Sequence, residues 1–399
     1  MTDPRIERLK VLTAGVISLV LMLGIARFAY TPLLPLMQQQ AGLGVAEGGW
    51  LAAINYAGYL AGAVVASLVS DIRLKDRLYR IGLIVALVTT AGMGLAENVW
   101  LWAAMRFFAG LSSAAGLLIG SGLILHWLIR HDHRSEMGIH FSGIGFGIAF
   151  CAIAVELMDP AVGWREQWFY LTLIGLLMAV PAWVWLPRPG AQSTTASGSA
   201  MVDRPPGQAF LRWFMAAYFC AGVGYAVSTT FIVAIVDQMP EMTGMGNWTF
   251  FILGISAAPA CMLWDRVARR MGELNALIAA FVLQIGGILL PVLSSNLNVV
   301  LIGAVLFGAT FIGIVSLVLT MAGRFYPTRP AKMMGKMTIA YGVAQIVAPA
   351  ITGELANRGG SYADGLYLAA LIMVVGTALM VLLKLRYADE VMVKTTTVI

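Results

Sequence analysis

Charge is scarce in this sequence. Of its 399 residues only 12% are Asp, Glu, Lys or Arg, whereas 59% are hydrophobic. A soluble globular domain carries about 25% charged and about 45–50% apolar residues, so a water-soluble fold is excluded. Disorder is excluded as well, since it requires the opposite balance. Cysteine is equally sparse: Cys151, Cys220 and Cys261 all fall inside apolar runs. An odd number of such thiols builds no disulfide framework and reads as packing. The four histidines, His126, His131, His133 and His140, gather near one chain turn without zinc-ligand spacing, so they read as packing and solvated turn, with no metal expected. Walker loop, GxSxG elbow, HExxH helix and dinucleotide fingerprint are all missing, which speaks against an enzyme and against any cofactor. The 26 basic residues exceed the 20 acidic ones. They sit in short clusters between apolar runs rather than along one face, which excludes a nucleic-acid partner and points to membrane topology.

Long apolar runs dominate what is present. A bilayer span needs ~20 mostly apolar residues. Twelve are expected, at 11–36, 47–70, 79–96, 99–128, 137–158, 167–186, 209–235, 246–264, 273–293, 297–322, 334–354 and 363–384. With the N-terminus placed in the cytoplasm, twenty-two Lys and Arg fall on that side and two, Arg165 and Arg358, on the other. Such asymmetry sets both termini inside. The remaining two, Arg27 and Arg106, lie within spans. The stretch 187–208 is rich in Pro, Gly, Ser and Thr and is expected to be a flexible cytoplasmic linker. It divides the chain into an N-terminal six-helix bundle (1–186) and a C-terminal one (209–399) with a short cytoplasmic tail.

The two halves echo each other. GIARFAYT, from Gly24 to Thr31, aligns with GVGYAVST, from Gly222 to Thr229, at an offset of 198. The same offset pairs Trp50 with Trp248 and Gly110 with Gly308. A basic turn follows the second span of each half, SDIRLKDR from Ser70 and WDRVARRMG from Trp264. A repeat along the chain marks a transporter built from two related bundles with its site between them near the midplane.

These residues resemble the major facilitator superfamily. Asp265-Arg266-x-x-Arg269-Arg270-x-Gly272 looks like its signature turn between the second and third helices, here in the second-half copy. The first-half copy at Asp71 lacks the flanking glycines. Arg106-x-x-x-Gly110 looks like its fourth-helix motif, and GIARFAYTPLLPLM is similar to the bacterial YbfB/YjiJ group. The resemblance implies an all-α membrane protein of twelve transmembrane helices in two pseudo-symmetric six-helix bundles. It implies a cavity lined by helices 1, 4, 7 and 10, a moving interface of 2, 5, 8 and 11, and an outer brace of 3, 6, 9 and 12. It also implies alternating access, with Arg106, Asp71, Asp265, Arg266 and Arg269 in coupling and gating.

Arg27 is the most informative side chain. A charge at mid-bilayer costs ~2.5–3.5 kcal/mol on insertion scales and is functional by default. The rival reading lets it snorkel to the headgroups if the first span ends near Tyr30. A guanidinium is permanently protonated and forks onto carboxylates. No acidic residue lies on spans 1 or 4 to neutralise Arg27 or Arg106, so a visiting anion is expected as counter-charge. For Arg106 the rival is a structural role, bonded to carbonyls at a helix break. Tyr30 and Tyr225, the repeat partner of Arg27, are expected to shape the pocket. Asn55, Tyr56, Tyr59, Tyr341 and Gln345 are interface candidates for the same site. Glu156, near the far end of span 5, is the candidate proton carrier, with Asp237 and Glu354 as further carboxylates at span ends. Trp100, Trp102, Trp164 and Trp168 read as interfacial anchors.

The reading that unites these features is a secondary transporter of the bacterial inner membrane, acting as a monomer among membrane lipids. Its expected partners are a small organic anion and protons, moved by symport. The alternatives are a proton-driven multidrug exporter, although span 5 has no proline before Pro160, and a membrane sensor with a transporter fold.

Overall fold

The structure, a computed structural model, describes residues 4–134, 137–158, 161–190, 196–198, 200–237, 245–359 and 363–395. Among them twelve long helices follow one another. Helix α1 is built of three segments, Pro4–Leu19, Val20–Phe28 and Tyr30–Ala41. Next come α2 (Val45–Leu68), α3 (Ile72–Leu95) and α4, again in three segments, Val99–Ala114, Ala115–Gly120 and Ser121–Arg130. Then follow α5 (Gly138–Met158), α6 (Trp164–Val184), α7 (Gln208–Asp237), α8 (Gly246–Met271) and α9 (Glu273–Leu293). The last are α10 (Leu297–Phe325), α11 (Pro330–Gly359) and α12 (Ala363–Thr395). Eleven of the twelve are long and apolar enough to cross a bilayer. The twelfth, α11, packs against α7 and α2. Helices suit this solvent because each satisfies its own backbone groups where no water can.

All twelve expected spans coincide with helices. The first is longer than its apolar run, continuing past position 36 to Ala41. Gly42 stops it by adopting φ 67, a left-handed conformation that costs glycine little.

Packing repeats between the halves. Helix α2 lies on α4 as α8 lies on α10, α1 on α5 as α7 on α11, and α3 on α6 as α9 on α12. The repeat reaches single atoms. A Cβ at Gly110 would run into the carbonyl of Asn55, and one at Gly308 into the carbonyl of Leu253, which is again the offset of 198. Glycine therefore lets α4 and α10 press onto the backbones of α2 and α8. The halves meet through α5 against α8 and α2 against α11, the four helices the family resemblance assigns to the moving interface.

The end that carries the N-terminus and the basic turns is closed. There Asp265 Oδ2 accepts a 2.6 Å hydrogen bond from the Gly138 N–H at the start of α5. Lys332 Nζ donates to Ser70 Oγ at 3.2 Å, and Gly335 of α11 lies against the α2 backbone at Ala63 and Ser67. The described part of the linker departs from the expectation of a free tether. Ala196 N–H donates to the Arg130 carbonyl and Ser197 N–H to Asp132, both at 2.7 Å. Further along, Arg204 N–H donates to the Phe325 carbonyl, while Asp203 accepts from Thr328 and Arg329. Composition favours a flexible coil here, but the orphan carbonyl at a helix end and the Asp132 carboxylate beside it supply partners that composition does not show.

Tryptophan placement also differs from expectation. Trp100 is 85% exposed, as an interfacial anchor should be, but Trp102, Trp164 and Trp168 are buried. Trp102 donates to the Met93 carbonyl and meets Trp164 edge-on at 5.6 Å. Trp102 faces inward because its N–H and ring find partners between helices, whereas the buried Trp168 N–H has no hydrogen-bond partner among the described residues.

Candidate functional site

The site begins with an irregularity in α1. Over Val20–Phe28 the helix widens to π geometry, and Ala29 N–H bonds back to the Gly24 carbonyl. Pro32 follows, with no N–H to give to the carbonyls four and five residues earlier, those of Phe28 and Arg27. Arg106 of α4 fills the gap. One of its terminal nitrogens donates to the Arg27 carbonyl at 3.1 Å and reaches that of Ala26 at 3.5 Å, while its Nε reaches the Leu51 carbonyl at 3.5 Å. The Tyr30 ring stacks on the guanidinium at 4.3 Å. Tyr30 is held by donating to the Gly48 carbonyl at 2.9 Å, and Asn55 Nδ2 donates to the Arg106 carbonyl at 2.8 Å. Arg106 thus ties the break in α1 to α2 and α4. This geometry is the structural reading of that side chain, and it holds whatever else the group does.

Arg27 extends from the widened segment and is only 6% exposed. By helix rise α1 continues roughly 20 Å beyond it, and the guanidinium is enclosed by side chains of α1 and α2 rather than turned along the helix toward its end. Aromatic faces surround its guanidinium: Tyr59 at 4.6 Å, Tyr56 at 4.9 Å and Phe28 at 5.3 Å. Tyr56, Tyr59 and Tyr225 are its polar neighbours. Among the described residues no carboxylate forms an ion pair with it; the pairs found there are Arg80–Asp76, Arg165–Glu97, Arg324–Glu273 and Arg329–Asp203.

A small cavity of about 70 Å³ opens beside this charge, between the halves. At ~10–15 Å³ per enclosed water, that is room for roughly five. Arg27, Tyr30, Asn55, Arg106 and Tyr225 line it, together with Tyr56. Four pairs of lining positions are repeat equivalents: Arg27 and Tyr225, Thr31 and Thr229, Ala52 and Phe250, Asn55 and Leu253. Symmetry of position is joined to asymmetry of chemistry. The first half offers guanidinium, hydroxyl and amide; the second offers mainly aromatic and aliphatic walls, extended by Phe311.

Tyr59, Tyr341 and Gln345 stand one layer back. All three are buried, and none is among the cavity-lining residues. Tyr341 stacks between Tyr218, at 4.6 Å, and Tyr225, at 5.6 Å, and Tyr225 stacks on Phe311 at 5.3 Å. This aromatic row holds the far wall of the cavity. Reading the sequence alone overlooks Thr229, Phe250 and Phe311. The first is the repeat partner of Thr31, so the internal alignment held the signal; the two Phe are ordinary apolar positions until a cavity adjoins them.

The coupling candidates lie elsewhere. Asp265 is buried and clamps the start of α5 across the halves. Asp71 caps its own helix, accepting from Arg73 N–H at 3.0 Å, and offsets the buried Lys75, while Ser70 makes the hydrogen bond to α11. Arg266 and Arg269 are exposed at the basic end. Glu156 is exposed at the opposite end of α5, in a separate cleft with Trp248 and Phe251. The side chains of Asp237 and Glu354 lie outside the described residues. Among the histidines, His126 bonds to the Pro327 carbonyl, His140 to Ser121 Oγ, and His131 and His133 stack with Trp127.

Similarity to known proteins agrees with this architecture. Residues 19–381 match the family described as uncharacterised MFS-type transporter YbfB. The cis,cis-muconate transport protein of Acinetobacter baylyi is 24% identical over 57% of this chain and 59% of its own length. The chain therefore spans under two thirds of that relative. The probable sulfoacetate transporter SauU of Cupriavidus necator is 22% identical over 82% of this chain and 83% of its own. Among solved structures, the human organic anion transporter MFSD10 (TETRAN) superposes with a TM-score of 0.68 at 14% identity, covering 95% of this chain and all of that one. At that identity the likeness concerns the fold alone. The family and these relatives are transporters rather than enzymes, and the family match spans nearly all twelve helices: the chain belongs to the YbfB-type transporters of the major facilitator superfamily.

Proposed function

We propose that this transporter moves a small organic anion of carboxylate type across the bacterial inner membrane by alternating access, with protons as the coupled ion. One observation carries the reading: the Arg27 guanidinium lines a buried cavity between the halves with rings and hydroxyls around it and no carboxylate partner among the described residues. A permanent charge in this position favours occupancy by an anion, since the protein offers it π-faces but no counter-charge. The acid group meets the first half and the apolar body meets Tyr225, Phe250 and Phe311. The relatives named for muconate and sulfoacetate support an organic anion as cargo.

Alternating access supplies the vectorial step. The basic end, cytoplasmic on this reading, is shut by Asp265, Lys332 and the Gly335 contact, which leaves the cavity to be loaded from the other side. Neutralising Arg27 lowers the cost of enclosing it, so that occupancy favours the state in which both ends close. Glu156, exposed on that outer side, is the carboxylate proposed to take the proton.

The test is a thermal-shift screen of the purified protein against small organic acids and cationic drugs, repeated with Arg27→Ala. A charge-assisted hydrogen bond is worth ~1.5–3 kcal/mol, so acids are expected to raise Tm in the wild type and to lose most of that effect in the variant. Stabilisation that survives Arg27→Ala unchanged removes the assignment. For coupling, Glu156→Gln in proteoliposomes is expected to abolish uptake driven by a pH gradient while leaving acid binding intact.

A further inference from the structure

We propose that the cargo is a dianion, and that Arg106 holds its second acid group. This rests on the anion reading above and narrows it. Both Arg27 and Arg106 line the one cavity. They are 6% and 4% exposed. No Asp or Glu belongs to the cavity lining, so its formal charge is +2.

The bonds of Arg106 do not cancel its charge. Its Nε and one terminal nitrogen bond backbone carbonyls. Those carbonyls solvate the guanidinium and fix its direction, but they carry no net charge. Two of the three bonds are also at the long limit of 3.5 Å. Among the described residues the other terminal nitrogen has no hydrogen bond, and the group lines the cavity. The two cations stand beside the same break in α1: Arg106 bonds the backbone carbonyl of Arg27 itself, and both guanidinium groups line the one cavity. A monoanion would leave one of them uncompensated among mainly apolar and aromatic walls. A dianion neutralises both. The second half of the protein, which supplies Tyr225, Phe250, Leu253 and Phe311 to the lining, contributes no cation, so both acid groups belong on the side of α1 and α4.

The experiment compares matched acids on the purified full-length protein at neutral pH. Malonate, succinate, glutarate and adipate are each titrated against the monocarboxylate of equal chain length. At least one dicarboxylate is expected to bind roughly 10- to 100-fold more tightly than its partner, the factor expected for one added charge-assisted hydrogen bond. Arg106→Gln, which keeps hydrogen-bond donors for the α1 carbonyls, is expected to erase that advantage, so that the dicarboxylate and the monocarboxylate of each pair bind with affinities within a few-fold of each other. If a monocarboxylate binds as tightly as the best dicarboxylate, the dianion is overturned and the anion reading stands. If no acid binds, both fall. A dicarboxylate advantage that persists in Arg106→Gln overturns the role of Arg106. Should that variant fail to fold, the wild-type comparison alone still decides the charge of the cargo.

Discussion

Gly335→Ala is a direct probe of how the basic end closes. Gly335 lies on α11 where it crosses α2. A Cβ built there would stand 2.7 Å from the Ser67 nitrogen and 2.8 Å from the Ala63 oxygen, both backbone atoms of the other half. Ordinary contact begins near 3.4 Å, so α2 and α11 must part by about 0.6–0.7 Å, and no flexible side chain can yield instead. Overpacking of this kind costs ~1–3 kcal/mol. The cost applies only while the basic end is shut, because parting the halves removes the contact. At 1.4 kcal/mol per decade, the equilibrium shifts toward the state open at that end by roughly 5- to 150-fold. The assay is alkylation of a Thr338→Cys reporter, one turn further along α11 and 1% exposed in the closed state, by an impermeant maleimide applied to the basic side. Its rate is expected to rise within that range. Gly286→Ala serves as the control, since its nearest neighbour is the tip of Leu306 at 3.9 Å. Equal alkylation rates in the wild type and Gly335→Ala would falsify the claim that this crossing is part of the closed gate.

Three further outcomes are expected. Asp265→Asn weakens the acceptor for the Gly138 N–H and removes a negative charge from the start of α5; a loss of about 1 kcal/mol in closed-state stability should raise the same maleimide rate several-fold. Asp76→Ala removes the counter-charge of Arg80, whose ion pair is 8% exposed on each side and whose remaining partners, the Trp183 and Leu186 carbonyls, carry no net charge; it should cost about 3 kcal/mol in unfolding measurements in detergent. Asp76→Leu with Arg80→Met should recover most of that loss, because breaking a buried pair costs more than replacing it. Asp203→Ala releases Thr328 and Arg329 from the linker and should speed proteolytic cleavage within 187–208, whereas unchanged cleavage would show that the linker is held by its other contacts.

The helices were legible because their cause is local. A run of apolar residues long enough to cross a bilayer forms a helix whatever lies beside it; eleven of the twelve expected spans meet that test among the described residues, and the twelfth, α11, is helical as well. Arg27 was legible for a related reason: a charge in such a run is costly and therefore conspicuous. Tyr225 followed from the repeat, which places it across from Arg27. Other parts were hidden. The place of Glu156 at the end of span 5 already pointed to a wetted carboxylate, but nothing near it tells that Trp248 and Phe251 form a cleft with it, and nothing near Trp168 tells that its ring is fully buried. For both, the neighbour that decides the environment is a different helix.

The sequence by itself determined the solvent, the number of spans, the twofold repeat and the presence of an unmatched positive charge inside the first span. Each follows from hydropathy and spacing along one chain, quantities that need no knowledge of neighbours. Only the tertiary structure decided what surrounds that charge. It set Tyr56 and Tyr59 over Arg27, turned Arg106 onto the Arg27 carbonyl left open near Pro32, and brought Phe250 and Phe311 to the opposite wall. Those contacts join residues on α1, α2, α4, α8 and α10, and their geometry is fixed by how closely glycine-lined helices cross, which no single segment specifies.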